Sequence, residues 1–405
     1  MRAERSRWLL ACNLLVILPV SSGLAVYNLS VYMSVLSAQR GFSVSSVSNA
    51  VGVFFLTGGI AGIWVGRLLQ TTDVRRVILT GTLIAGGAIA LIGRVEAAWQ
   101  LYVVYALFGL GYTCASLLPA TTLITRWFDA RQRPLALSFT STGLSLGGIV
   151  ITPLSVWLLA HWPLEQATPV LGAVFLLVIA PIAWFGLRPF SARAGADAPL
   201  GVHSGTAFAL AVRSRFFVAL TAGYLLALGT QVGVIAHLYN RGVAIVTPLQ
   251  ASFAVSILAT FAVAGRFFGG AVLGRVPMKA FALANLAGQL AGFLILGHAT
   301  DRNAMWLGAG VFGFTVGNLL MMHPLMLAQA FGVMDYPKIY STSQAVTTAG
   351  VALGPVVLGL IYAAAGYPAA FSTFALLSAV AFVLFVAAGP MPDAEAAMID
   401  SRSRT

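Results

Sequence analysis

Apolar residues run along this chain in long blocks separated by short polar stretches. A helix needs about 20 predominantly apolar residues to cross a hydrocarbon layer. Twelve blocks meet or nearly meet that length: 8–36, 47–69, 77–92, 101–124, 135–159, 168–187, 216–239, 249–273, 278–296, 305–330, 339–364 and 368–388. The pattern predicts an all-α membrane protein with twelve transmembrane helices. One long polar connection, 188–215, interrupts the series after the sixth block. It divides the chain into an N-terminal six-helix bundle (1–187), a linker (188–215), and a C-terminal six-helix bundle with a short tail (216–405). A basic loop follows the second helix of each half, at 66–76 and 270–279. That correspondence points to an internal repeat, and hence to two pseudo-symmetric bundles with a substrate site near the midplane between them.

Composition agrees: of 405 residues 59% are apolar and 8% charged, with a mean hydropathy of +0.91. Ordinary soluble chains carry about 25% charged residues. The net charge of +12 would suggest nucleic acid in a soluble protein, but here it follows topology. With both termini on the cytoplasmic side, eighteen cations fall in inner loops and tails, and only Arg40, Arg94, Arg241 and Arg302 fall outside. This bias fixes the orientation and excludes nucleic acid as a partner; the partner is the lipid bilayer, expected to be a cell inner membrane. The basic start of the chain resembles a signal peptide, but the apolar run behind it is long and is expected to stay as the first helix. Cys12 and Cys114 lie inside apolar runs and suggest neither a disulfide framework nor a metal site. Small residues at four-residue spacing (Gly58, Gly62 and Gly66; Gly143 and Gly147; Gly265 and Gly269; Gly350 and Gly354) mark close helix packing. Their occurrence in helices 2, 5, 8 and 11 is read as an interface between the halves.

One cation remains. Arg266 lies nine residues before Arg275, about 13.5 Å along a helix and so near the middle of a roughly 30 Å core. A charge there costs at least ~2.5–3.5 kcal/mol unless it faces a cavity or partner. All eleven acidic residues fall in loops or tails, so no internal counter-ion is available. Arg266 is therefore read as the anchor of an anionic substrate, the alternative being a structural arginine satisfied by carbonyls at a broken helix. Tyr27 and Asn28 of the first helix are candidates to line the cavity opposite it, or to bond helix to helix. His237, near the outer end of helix 7, is a proton site or an interfacial histidine bonded to backbone. Tyr112, Ser138, Thr142, Gln231, Asn318, Gln344 and Thr347 are second-rank substrate-binding candidates.

The segment Arg126-Trp-Phe-Asp-Ala-Arg-Gln-Arg133-Pro-Leu-Ala136, followed by Gly143, Gly147-Gly148 and Pro153, resembles a signature of the major facilitator superfamily. More narrowly it is similar to the monocarboxylate-porter and oxalate/formate-antiporter branch. Ser22-Gly23 with Tyr27, the stretch His237-Leu-Tyr-Asn-Arg-Gly242, Gly265-Arg266, and Gly354-Pro355 with Gly359 support the resemblance, which covers essentially the whole chain. In that branch the helix-8 arginine binds substrate carboxylate, and the resemblance implies the same for Arg266. The chain departs from the pattern in three respects. Gln70 and Gly274 stand where the superfamily loops carry aspartate, Ala262 stands where animal monocarboxylate carriers have one, and Gln344, Thr347 and Thr348 surround the place of the oxalate carriers' helix-11 lysine.

With one fixed cation, a monocarboxylate is expected over a dicarboxylate. The sequence is therefore read as a secondary transporter of a small organic anion, working by alternating access without cofactor or enzymatic activity. Proton coupling is left open. The rivals are an exporter of hydrophobic or drug-like compounds and a non-transporting receptor or assembly protein. No Walker motif occurs, so ATP is not expected to drive it.

Overall fold

A computed structural model of the chain describes residues 2–128, 132–187, 206–273, 275–332 and 335–392. The linker 188–205, the loop residues Asp129, Ala130 and Arg131 of the signature, Gly274 and the tail 393–405 lie outside the described residues, as do the side chains of Gln70, Arg126, Arg133 and Ser138.

The helices follow the apolar blocks closely. In the first half, α1 combines Arg2–Ser22 and Leu29–Arg40 through a π-helical turn, Gly23–Tyr27. It is followed by α2 (Val44–Thr71), α3 (Val74–Ile92), and α4, made of Ala98–Cys114 and Leu117–Trp127. Then α5 joins Arg133–Leu146 to Thr152–His161 through a second π-turn, Gly147–Ile151, and α6 is Leu164–Pro181. The second half comprises α7 (Arg215–Val243), α8 (Pro248–Val272), α9 (Met278–His298) and α10 (Arg302–Phe331), then one helical run, Tyr336–Ala387. Gly366 breaks that run with φ 76 and ψ 176. Phe374 and Gly354 meet the same point of α7, at Gly233, so the run folds back on itself as α11 and α12. The break falls in the gap between the last two predicted blocks.

That backbone conformation is open essentially to glycine alone and costs other residues about 1–3 kcal/mol. Gly366→Ala is expected to lower the thermal unfolding temperature in detergent without altering substrate affinity.

The two halves repeat one packing scheme. Within the first, α1 crosses α5 at Gly23 and Gly147, α2 crosses α4 at Phe54 and Gly109, and α3 crosses α6 at Gly86 and Gly172. The second half matches these with α7 on α11 at Gly229 and Gly350, α8 on α10 at Gly265 and Phe314, and α9 on α12 at Gly297 and Phe371.

These crossings correct the reading of the glycine stripes. Gly58 and Gly62 face Thr113 of α4, Gly143 and Gly147 face α1, Gly265 and Gly269 face α10, and Gly350 and Gly354 face α7. These serve packing inside a half, while Gly66, the third of its stripe, faces open space. Spacing gives a face but not its partner, and the closest backbone approaches belong to helices that stay together.

Between the halves, α2 meets α11, and α5 meets α8. Gly52 lies against Ala352 and Val356, and Gly59 against Thr348. The Ser256 hydroxyl is 3.2 Å from the Gly148 carbonyl and 3.3 Å from that of Ile149. Ser48 is 3.0 Å from His237 near the end of the bundle opposite the basic loops. At that opposite end Arg241 is buried and donates to the carbonyls of Leu296 (3.2 Å), Gly297 (2.9 Å) and Ala299 (2.8 Å), capping α9. At the basic end, the Phe208 N–H donates to Asp335 at 2.9 Å. That bond, helped by Lys338, holds the Asp335 carboxyl below the usual carboxylate range.

Candidate substrate site between the halves

Arg266 is the nineteenth of 25 residues in α8, so its backbone lies about 27 Å from the start of the helix and about 9 Å from its end. Its Cα thus lies about midway between the middle of the helix and its basic end. A helical side chain leans toward the N-terminus of its helix, which carries the guanidinium back toward the centre. The stem runs across Gly317 of α10, where an added Cβ would lie 2.5 Å from Arg266 Cγ and would collide with the Ala262 carbonyl. Only a glycine at this crossing leaves room for the arginine.

From that track Arg266 reaches the opposite half. Its Nη1 donates to Ser145 Oγ of α5 at 3.1 Å. Ser145 is fully buried, and the Tyr27 hydroxyl lies close to it and within the field of the guanidinium. Tyr27 is itself close enough to Tyr112 for their hydroxyls to interact electrostatically, and the Tyr112 ring packs on Phe54 with centroids 5.5 Å apart.

The backbone at this point is irregular in both contributing helices of the first half. Tyr27 ends the π-turn of α1, and Ser145 sits two residues before that of α5. Gly148 in the second turn lets the Tyr27 ring and Ala259 of α8 approach together, since a Cβ there would lie 2.9 Å from the ring and 2.8 Å from Ala259. Such π-turns recur at functional sites in helices. One arginine, two phenols and a serine thus converge where α1, α4, α5 and α8 meet. Among the described residues every acid lies in a loop or at the end of a helix, as Glu165 does in its 2.7 Å pair with Arg40. Guanidinium carries five N–H donors and no acceptor, and Ser145 takes one of them.

The remaining candidates are placed differently. Thr142 is one turn before Ser145 on the same face of α5. Gln344 is half-buried on α11, one turn before Thr348, and shares the face that meets α2. Ser138 is on α5, its side chain outside the described residues.

Asn28 is fully buried and donates to Ser155 Oγ at 2.7 Å, joining α1 to α5. Gln231 turns into its own half and donates to Gln289 at 3.4 Å. Asn318 is buried against Gly265 and Gly269 and donates to Asn285 at 3.0 Å. Thr347 is buried and bonds back to the Gln344 carbonyl at 3.0 Å. His237 is buried at the opposite end, within 3.3 Å of the Pro355 carbonyl and 3.4 Å of the Tyr367 hydroxyl as well as beside Ser48. Its partners span three helices, a tie between the halves rather than a residue beside Arg266.

Ser145, Gly148 and Gly317 were not among the sequence candidates. The three-residue step from Thr142 to Ser145 puts the serine on a face already singled out, a signal that was available. Nothing local marks Gly317, whose role depends on a side chain 51 positions earlier.

A sequence model of the Major Facilitator Superfamily matches residues 15–331 and again 246–403. The chain belongs to the Major Facilitator Superfamily. It is 28% identical over 342 residues to monocarboxylate transporter 13 of Bos taurus, covering 81% of this chain and 75% of that protein. It is also 26% identical over 147 residues to the uncharacterized MFS-type transporter YcxA of Bacillus subtilis (strain 168), where the match spans 36% of this chain and 35% of the relative. Among solved structures, the nucleoside transporter NupG superposes with a TM-score of 0.71 at 14% identity, covering 94% of this chain and 98% of that one. That likeness concerns the fold. The chain is a multi-pass membrane protein of the secondary transporter type, with the twelve-helix arrangement of the superfamily and a monocarboxylate-transporter-like sequence.

Proposed function

We propose that this superfamily member carries a small organic anion with a single carboxylate, bound by Arg266 where the two halves meet. The observation that carries the reading is the Arg266–Ser145 bond across the halves, in a membrane interior that holds no acid among the described residues. A carboxylate entering there takes a bidentate pair of N–H donors from the guanidinium, the strongest neutralising geometry available to it. Tyr27 and Tyr112 supply phenolic donors at the side, and their rings give the organic part an apolar wall. The halves then rock about this point, with the basic end cytoplasmic, as the arginine bias requires. The likeness to monocarboxylate transporter 13 supports the substrate class.

The test is counterflow in proteoliposomes, with labelled lactate competed by a panel of unlabelled compounds. Monocarboxylic acids are expected to compete, while their primary amides, of the same shape but uncharged, do not. Equal competition by the amides, or competition by lipophilic cations alone, overturns the reading.

A further inference from the structure

A groove of about 600 Å³ opens on the outer surface of the first half, between α2, α3 and α4 at the basic end. Its walls include Trp64, Leu68, Val77 and Leu110, and its rim carries Arg67 and Arg76. All of these except Val77 are exposed, so the groove faces what surrounds the helices.

The two arginines are available. Asp73 N-caps α3, donates nothing, and is engaged by Arg75, whose Nη2 and Nε lie 2.8 and 3.0 Å from one carboxylate oxygen. Asp73 acts on Arg76 only through its field. Arg75 also lies over the Trp184 ring at 5.2 Å, which turns it from the groove. Arg67 is held against the groove wall by its own neighbour, its guanidinium 5.5 Å from the Trp64 ring centroid. Among the described residues neither Arg67 nor Arg76 has an ion pair. Arg76 additionally sits in the first turn of α3, where the helix dipole favours an anion.

From Arg76 to Ile84 the groove follows α3 for about 12 Å toward the middle of the bundle. A charged mouth at headgroup depth leads into an apolar trough. A second groove, on the other half between α8, α9 and α10, provides the contrast: it measures about 540 Å³, is walled by Phe261, Phe268, Phe281 and Trp306, and has no cation on its lining.

We propose that the α2–α4 groove is a binding site for one anionic phospholipid of the leaflet at the basic end. Arg67 and Arg76 hold its phosphate, and one acyl chain lies along Leu68, Val77 and Leu110. Basic pockets between transmembrane helices on this side suit such headgroups, with each arginine contributing roughly a fivefold preference. This site is separate from Arg266 and stands whatever the carrier transports.

Purified full-length chain in neutral detergent is titrated with phosphatidylglycerol or phosphatidylcholine carrying brominated acyl chains, and tryptophan emission is recorded. Brominated phosphatidylglycerol is expected to quench at about thirtyfold lower concentration than phosphatidylcholine. Trp64→Phe removes the quenched component, and Arg67→Gln with Arg76→Gln abolishes the headgroup preference. Arg275→Gln, a cation of the same end outside the groove, leaves it intact. Equal quenching by both lipids in the native chain overturns the proposal. So does a preference that survives the double variant or disappears equally in Arg275→Gln, or protection from quenching by inorganic phosphate at millimolar concentration.

Discussion

Arg266→Ala is expected to abolish carboxylate counterflow while the protein still folds, inserts and unfolds at nearly the native temperature. Truncating one partner of a desolvated charge pair costs about 2–5 kcal/mol. That corresponds to a ~30-fold to several-thousand-fold loss of affinity, enough to put substrate binding beyond ordinary assay concentrations. Stability should move little, because the guanidinium contributes a single described hydrogen bond, to Ser145, and its removal relieves the burial of a charge. Arg266→Lys discriminates further. It keeps the positive charge but not the planar fork, so binding should survive at about a tenth of native affinity or less. Isothermal titration with a monocarboxylate, beside thermal unfolding of each variant, reads both quantities. Undiminished binding by the alanine variant would sink the proposed role.

Gly317→Ala should do almost as much harm from a position that touches no substrate. The new methyl group would lie 2.5 Å from Arg266 Cγ and collide with the Ala262 carbonyl, so α8 and α10 must part or the arginine must leave its track. Either response withdraws the guanidinium from Ser145. A misplacement of this size in a charge-assisted pair is expected to weaken binding about 10- to 100-fold. Overpacking of a close crossing typically costs 1–3 kcal/mol in stability as well. The informative comparison is with Gly313→Ala, one turn before Gly317, which crowds the same two helices against Leu258, about two turns from the arginine. If both variants lower the unfolding temperature but only Gly317→Ala loses affinity, the effect passes through Arg266. Equal affinity losses would make it a general loosening of the bundle.

Much of this fold was legible because lipid leaves so little choice. With no water to satisfy the backbone, apolar blocks must become helices, and the gap between residues 364 and 368 could only be a reversal. Gly366 supplies it. The interruptions inside helices were not legible. The π-turns at Gly23–Tyr27 and Gly147–Ile151, and the break of α4 at Ala115 and Ser116, all lie within unbroken apolar sequence. Their cause is tertiary: the first two turns press on each other through Gly23, Gly147 and Ile151. At the site, Arg266 announced itself by the cost of its charge, and Tyr27 by an amphipathic ring next to Asn28. Buried hydroxyls and amides carry no such signal, because any of them can be satisfied by a neighbouring helix. Asn28, Gln231 and Asn318 found such neighbours, and Ser145, which looked no different on paper, found the arginine.

The glycine crossings have a consequence for how such a carrier moves. Backbones that touch backbone to backbone at Gly23 and Gly147, or at Gly229 and Gly350, cannot slide without opening a void, whereas between α2 and α11 the glycines Gly52 and Gly59 meet chiefly the side chains of Val356 and Thr348, a seam that can shear. Motion should therefore be that of two stiff blocks on a slippery joint. Pairs of spin labels placed inside one block would keep a single sharp separation through the whole cycle, and only pairs straddling the joint would report two.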